Sequence, residues 1–303
     1  MATPVAVTGI GVLSVAGCGV DAFWDGLCAG VAPAADRLRL DVAGTVRTPQ
    51  GRRIDRASLL TLAAARAALV HADLAADALP PGRSGLALGS AFGNVTETQT
   101  FLDRLLTRGS GNPLVFPNLV MNAALSYATI ELGTTGPSAM LTEQEASGEA
   151  ALGWGAQQVA DGRLDVCLAG GADEVTDELL RIERETRVAS PRGLARPFDR
   201  DADGVRPAEG AAVLVLEPAA RAQARGARIW ALLEPHVGAS VPSPLHGWPV
   251  DAAALAGVLA PSSPTPTSSS PLRAARRRST RSRPTRWPSR SPGGRRRSPR
   301  RAA

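Results

Sequence analysis

The segment 142–148, Thr-Glu-Gln-Glu-Ala-Ser-Gly, combines the residue types and the spacing of a catalytic turn. The apolar run Ala139–Leu141 precedes it, and a helix rich in small residues follows it. Strand–turn–helix motifs of this kind expose a nucleophile, which the positive end of the helix dipole activates. The tip, however, carries Glu145 where such a motif places Cys or Ser. The segment therefore predicts the platform of a nucleophile without the nucleophile.

The elements around this turn are predicted from hydrophobic periodicity. Strands alternate with helices along the chain, which is typical of an α/β domain with a largely parallel sheet. In the helix predicted over 55–74 the apolar side chains favour one side; they are Leu59, Leu62, Ala63, Ala67, Leu69 and Val70. The predicted strands are 4–14, 84–91, 139–142, 165–173, 210–217 and 227–234, and the predicted helices are 20–30, 55–74, 96–106, 118–132, 147–160 and 218–226.

The charge distribution divides the chain into an acidic body and a basic tail. The 303 residues contain 34 basic residues, all of them Arg, and 28 acidic ones. Residues 261–303 hold 13 Arg and no acid, which leaves 21 Arg and all 28 acids in residues 1–260. The tail has too few apolar residues to offset the entropy of ordering it. We therefore predict one globular domain over 1–260 and a disordered Arg/Ser/Pro-rich tail over 261–303.

Two hypotheses explain the tail. An arm of this charge would bind nucleic acid through the phosphates, but only the tail supports that function, and we do not expect nucleic acid as a partner. We favour a shifted reading frame. GC-rich codons for 261–271, shifted by two bases, encode Val-Leu-Ala-Asp-Ala-Asp-Val-Val-Val-Ala, which continues residues 250–260 as a helix end and a buried strand.

Other features predict a cytoplasmic protein. Cys18, Cys28 and Cys167 are scattered, as expected for free thiols in a reducing compartment. The N-terminus alternates like a strand and lacks the basic segment of a secretion signal. No apolar run approaches the roughly 20 residues that span a membrane. We expect no membrane association, no metal and no cofactor.

Four segments resemble the β-ketoacyl-acyl-carrier-protein synthases of the thiolase superfamily. They are the opening 5–30, the stretch 116–138 before the turn, the strand 165–173, and the long and specific run 195–217, Ala-Arg-Pro-Phe-Asp-Arg-Asp through Leu-Val-Leu-Glu. Together they cover about residues 4–240. The resemblance implies a thiolase-like fold of two similar halves stacked in five layers, αβαβα. This chain would hold the N-terminal half and the start of the second half.

The resemblance also locates three departures from the family. The family's nucleophilic Cys sits eight residues after Gly-Pro, and Glu145 occupies that position here. The two catalytic histidines of the family, in His-Gly-Thr and Gly-His-Asn motifs, have no counterpart. His71 is expected on the surface, and His246 in a loop; His236 also stands in another context. Finally, Gly-Phe-Val-x-Gly-Glu-Gly has become Gly-Val-Arg-Pro-Ala-Glu-Gly at 204–210.

These departures leave open whether the chain is an enzyme. Glu145 either caps its helix or imitates an anion that closes the site to acyl chains, and both are compatible. Chain-length factors, which are inactive subunits that pair with an active synthase and shape its acyl tunnel, carry a Glu-Gln pair here. A one-residue slip in the turn would place Gln144 at the tip.

The leading hypothesis is a non-catalytic, chain-length-factor-type subunit of polyketide or fatty-acid biosynthesis. The alternative is a malonyl-acyl-carrier-protein decarboxylase or a condensing acyltransferase of the same family, which would need the missing histidines. The resemblance implies an active ketosynthase as heterodimer partner and an acyl-carrier protein as client. Candidates for the acyl pocket or the dimer interface are Asn118, Met121, Asn122, Met140 and Thr142. The helix 147–160 is expected between two layers, so poor solubility is predicted for the chain alone.

Overall fold

The computed structural model describes residues 3–30, 35–39, 54–197 and 199–234, together with the isolated helical positions 253 and 256. The chain divides into two units, residues 1–250 and 251–303, and almost all described residues belong to the first. The predicted tail 261–303 lies outside the described residues, as do His236 and His246.

Seven strands form one sheet in the described ranges. Their bounds are β1 Val5–Ser14, β2 Gly17–Cys18, β3 Ser84–Gly89, β4 Ala139–Leu141, β5 Val166–Asp173, β6 Gly210–Pro218 and β7 Ala231–Leu233. The order is β2-β1-β6-β5-β3-β4, with β7 also paired to β1. Only the β3–β4 and β3–β5 pairs are parallel, so the predicted largely parallel sheet is wrong. The reason is the long return after β5, which inserts β6 between β1 and β5, antiparallel to both.

The helices largely confirm the predicted elements. They are α1 Val20–Ala29, α2 Arg56–His71, α3 Val95–Arg108, α4 Ala123–Leu132, α5 Ser147–Ala160, α6 Asp177–Glu185 and α7 Ala219–Ala224. The helix predicted over 118–132 begins only at Ala123. Asn118 instead ends a 3-10 turn, Pro113–Asn118, and Met121 and Asn122 lie in the link that follows. Two successive i→i+3 bonds, at Leu119 N and Ala123 N, delay the α-helical pattern.

Helices cover both faces of the sheet. On one face α2 and α4 pack over a cluster that includes Leu60, Leu86 and Leu168. On the other, α5 packs over a second cluster that includes Ala87 and Cys167. Successive strand residues point to opposite faces, which explains why neighbouring residues of β3 and β5 belong to different clusters.

The predicted buried face of α2 is partly wrong. Leu60 and Ala64 are fully buried, whereas Val70 is 76% exposed. The cause is that α2 contacts both the sheet and α4, so its buried surface spans more of the circumference than one stripe. His71 is also not a simple surface residue. Its Nδ1 accepts a hydrogen bond from Ile10 N at 3.0 Å, and its ring stacks on Trp230 with 4.8 Å between centroids.

Candidate functional site

Three strand ends meet at one edge of the sheet. Gly89 of β3 pairs in parallel with Leu141 of β4 and with Gly171 of β5, so the carboxyl ends of these strands lie side by side. The backbone N–H of Ser90 donates to the carbonyl of Leu141 at 3.2 Å, which joins two of these ends directly. Ligand sites of α/β sheets form at this edge, and the turn identified from the sequence lies there.

The connection from β4 to α5 has the geometry of a nucleophile turn. A 3-10 turn, Gln144–Ala146, leads into α5, and Gln144 adopts a left-handed φ of 54°. This conformation costs a residue other than glycine about 1–2 kcal/mol. The Ser147 hydroxyl accepts from Glu143 N at 2.8 Å and donates to the Gln144 carbonyl at 2.6 Å. These two bonds hold the strained turn in place.

The structure contradicts the prediction that Glu145 caps its helix. The N-cap of α5 is Ala146, whose methyl side chain has no oxygen that could accept a capping hydrogen bond. Glu145 is exposed. It does lie close enough to Glu183 of α6 to repel that carboxylate. Burial first, and Glu145 second, raise the pKa of Glu183.

Small residues bring α5 down onto the sheet. A Cβ at Gly89 would overlap the carbonyl oxygen of Ser147, so only glycine allows the helix to begin so close to β3. Cys167 of β5 lies beneath this helix and is fully buried, and burial raises the pKa of its thiol to about 12. Such a thiol is inert as a nucleophile. Cys18 and Cys28 lie in β2 and α1, so none of the three cysteines lies in the turn.

The predicted pocket residues occupy different environments. Thr142 is exposed at the start of the turn, and Met140 of β4 is half-buried against the core. Asn118 is 2% exposed; its side-chain oxygen accepts from Tyr127 OH at 2.9 Å. Met121 and Asn122 are exposed in the link before α4. In the described residues the turn after β3 bonds to both groups: Ser90 N donates to the carbonyl of Leu141 at 3.2 Å, and Asn94 Nδ2 donates to the carbonyl of Asn118 at 2.6 Å.

Sequence reasoning missed three acids that hold this region. Asp173 and Glu174 follow one another at the end of β5; Asp173 accepts hydrogen bonds from the turn after β3, and Glu174 accepts from Thr96 in the first turn of α3. Burial raises the pKa of Glu174, against the two bonds from Thr96. Glu209, 1% exposed, pairs with Arg56 and accepts from Leu38 N. The available signal was acids placed immediately beside buried strands, which need partners.

Two further properties concern only the part of the chain that the structure describes. No group of three or more His, Cys, Asp or Glu side chains there could hold a metal ion. No helix in those ranges is long and apolar enough to cross a membrane.

Similarity to known proteins shows which family the chain belongs to. The family model "Beta-ketoacyl synthase, N-terminal domain" matches residues 40–222. The granaticin polyketide putative beta-ketoacyl synthase 1 of Streptomyces violaceoruber is 34% identical over 266 residues, which cover 76% of this chain and 62% of the relative. The tetracenomycin polyketide synthase ketoacyl synthase alpha subunit of Streptomyces glaucescens is 33% identical, with 75% and 60% covered. The chain belongs to the β-ketoacyl synthase family, and it spans about three-fifths of the length of these relatives.

Solved structures confirm the predicted thiolase-like fold over the N-terminal part. The ishigamide ketosynthase/chain length factor superposes with a TM-score of 0.71 at 27% identity, covering 77% of this chain and 62% of that chain. A beta-ketoacyl synthase from Burkholderia phymatum gives a TM-score of 0.64 at 26% identity, with 76% and 62% covered.

Proposed function

We propose that this chain is a non-catalytic, chain-length-factor-type subunit of a polyketide or fatty-acid synthase system. The observation that carries the proposal is the turn before α5, which has the geometry of a nucleophile site but presents Gln144 and Glu145. An amide does not attack a thioester usefully. Attack by a carboxylate would give a mixed anhydride, which is too reactive to hold a growing acyl chain. The covalent acyl intermediate of nucleophilic catalysis therefore has no donor at this turn.

The backbone supports Gln144 as the residue at the tip. In strand–turn–helix nucleophile motifs the presented residue occupies the strained backbone position. Gln144 has a positive φ, whereas Glu145 belongs to the regular part of the 3-10 turn. The one-residue slip that the sequence left open is thus the arrangement we propose. Its physical consequence is a neutral amide at the position of the nucleophile.

The proposed partner is an active ketosynthase, and the proposed client is an acyl-carrier protein. Two similar proteins support the ketosynthase partner: one is a ketosynthase/chain length factor, and another is the alpha subunit of a ketoacyl synthase. Within the described residues β4 lies at the end of the sheet and pairs only with β3, so its outer edge is free for another strand.

Exposed apolar side chains elsewhere in the described residues also support a protein interface. We define an apolar patch by its exposed members on α3, on the 3-10 turn and in the flanking links: Phe92, Leu102, Leu105, Leu106, Leu114, Phe116, Val120 and Met121. Their exposures run from 37% for Met121 to 86% for Leu114. Exposed apolar patches of this kind mark binding surfaces.

We further propose the domain division stated from the sequence, a synthase domain over 1–260 and a separate tail over 261–303. Sequencing the gene across codon 261, together with the mass of the purified protein, tests the origin of the tail. An uninterrupted frame and the mass of the full chain would reject the shifted-frame explanation of the tail.

Co-expression tests the function. The chain, tagged, is produced with a Cys-bearing ketosynthase from its gene neighbourhood, and both are supplied with malonyl-carrier protein. We expect equimolar co-purification, and product only when both subunits are present. A ketosynthase whose nucleophilic Cys is changed to Ala serves as the control for product formation. If the chain remains monomeric beside every such ketosynthase, or if it alone releases carbon dioxide from malonyl-carrier protein, the proposal fails.

A further inference from the structure

The turn that follows β3 is held by the carboxylate of Asp173. Oδ1 of this residue accepts hydrogen bonds from Ser90 Oγ at 2.6 Å and from Phe92 N at 3.1 Å. Ala91 N lies 3.1 Å from both carboxylate oxygens. Ser90 Oγ in turn accepts from Gly93 N at 2.8 Å. Asp173 thus bonds directly to three successive residues, 90–92, and reaches the backbone of Gly93 through the Ser90 hydroxyl.

The next acid, Glu174, extends this control to α3. It is 1% exposed, and its two oxygens accept from Thr96 N at 2.8 Å and from Thr96 Oγ1 at 3.0 Å. Thr96 lies in the first turn of α3, where backbone N–H groups lack partners within the helix. The two acids therefore fix the turn after β3 and the start of α3 to the end of β5.

This connection in turn positions the candidate pocket segment 118–122. Gly93 has a φ of 65° and lies against Met121, so that a Cβ at Gly93 would overlap the Met121 sulfur. Asn94, 4% exposed, donates from Nδ2 to the carbonyl of Asn118 at 2.6 Å. A movement of the turn would therefore move Met121.

We propose that Asp173 is a positioning residue that sets the location of Met121 and, through it, the acyl-chain length that the synthase pair accepts. The inference rests on the proposed function, because it assigns Met121 to the acyl pocket. Asp173 itself touches neither substrate nor partner in this account. It acts through the turn 90–93, and its specific requirement is two acceptor oxygens facing N–H and O–H donors.

The chemistry of Asp173 makes a conservative variant informative. Because Ala91 N lies equally close to both oxygens, the Asp173→Asn amide nitrogen faces that N–H in either orientation. The matched control is Asp177→Asn, since the Asp177 side chain is 83% exposed and bonds to Arg37. Gly93→Ala is a second variant. Its added Cβ would push the Met121 side chain away from the turn without changing any carboxylate.

The first measurement follows the position of residue 121 without reference to function. Met121→Cys is introduced with Cys18→Ser and Cys28→Ser, leaving the buried Cys167, and the rate of maleimide labelling is measured on the full chain. We expect Asp173→Asn to change this rate by about fivefold, the ratio that corresponds to one lost hydrogen bond. Asp177→Asn should leave the rate unchanged. An unchanged rate in Asp173→Asn would overturn the inference.

The second measurement compares the lengths of the polyketide or fatty-acyl products formed with the active ketosynthase and malonyl-carrier protein. We expect Asp173→Asn and Gly93→Ala to shift the distribution of product lengths, with both variants still assembling with the ketosynthase. Asp177→Asn should give the same product lengths as the unmodified chain. If labelling changes but product lengths do not, Asp173 is only structural and the inference is wrong, although the proposed function stands. If the unmodified chain forms no pair, the proposed function fails, and the assignment of Met121 to an acyl pocket fails with it.

Discussion

At the scale of single residues, Gln144 carries backbone strain that the fold must offset. A glycine relieves the left-handed conformation at φ 54°, so Gln144→Gly should increase the free energy of unfolding by about 0.5–1 kcal/mol. The matched control is Glu143→Gly, whose φ of −115° gives glycine no advantage and should decrease stability. Urea denaturation of the purified chain measures both. Equal destabilisation by the two variants would show that residue 144 is not strained.

The acid pair Glu145 and Glu183 predicts a pH dependence of stability. The pKa of Glu183 is raised in the folded state, so the folded protein binds this proton more tightly than the unfolded chain does. The contribution of Glu183 to the free energy of unfolding is therefore fully present below the ordinary pKa of a Glu side chain. It is lost as the pH rises through the raised pKa of the folded state. Glu145→Gln removes the smaller of the two causes, and should lower the pKa of Glu183 and flatten this decline.

Carboxyl-carbon NMR of Glu183 across pH measures the change. Glu149→Gln is the control, because Glu149 is exposed on α5 and is not a cause of the Glu183 shift. If both variants lower the pKa of Glu183 equally, the effect is one of net charge and the specific pairing is wrong.

Residue identity at the turn was predictable, but residue geometry was not. The spacing from Gly-Pro located the turn, and the helix begins at Ser147 as predicted. Counting eight residues from Pro137 pointed to Glu145 as the residue at the tip, whereas the positive φ falls at Gln144. The backbone dihedrals of this turn depend on the two hydrogen bonds of the Ser147 hydroxyl. The anchoring by Asp173 depends on two strands brought together by the fold, and local sequence carries no record of that contact.

At the scale of elements, the close approach of α5 to β3 gives a sharp test. Gly89→Ala places a Cβ against the backbone carbonyl of Ser147, which cannot rotate away, and should destabilise the protein by about 1–3 kcal/mol. Gly148→Ala is the matched control, because Gly148 directly follows Ser147 in α5. Its Cβ would have no neighbour closer than 3.9 Å, so helix propensity should make it neutral or stabilising. Thermal unfolding that ranks the two variants in the opposite order would contradict the packing described.

The elements themselves were largely predictable, and their arrangement was less so. Periodicity located α5 and β5 because burial on defined faces requires those patterns. The direction of β6 was not predictable from its own residues, since a buried strand has the same composition in either direction. The 76% exposure of Val70 on α2 was likewise not predictable, because the buried surface of α2 is set by its contacts with the sheet and with α4.

At the scale of the whole molecule, the apolar patch should act as the partner surface. Leu114→Ser with Phe116→Ser removes two of its most exposed members and should weaken co-purification with the ketosynthase at least about tenfold, as loss of interface anchors does. Val70→Ser is the control, because Val70 is an equally apolar and 76% exposed residue outside the patch, on α2. Pull-down across a concentration series measures the difference. Equal binding by the two variants would place the interface elsewhere.

The most direct measurement is the location of acyl groups in the assembled pair. The chain and its ketosynthase are incubated with acyl-loaded carrier protein, and each subunit is analysed by intact-mass and peptide mass spectrometry. We predict an acyl adduct on the nucleophilic Cys of the ketosynthase and none on this chain, including the turn 142–147. A stable acyl adduct on any residue of that turn would contradict the account.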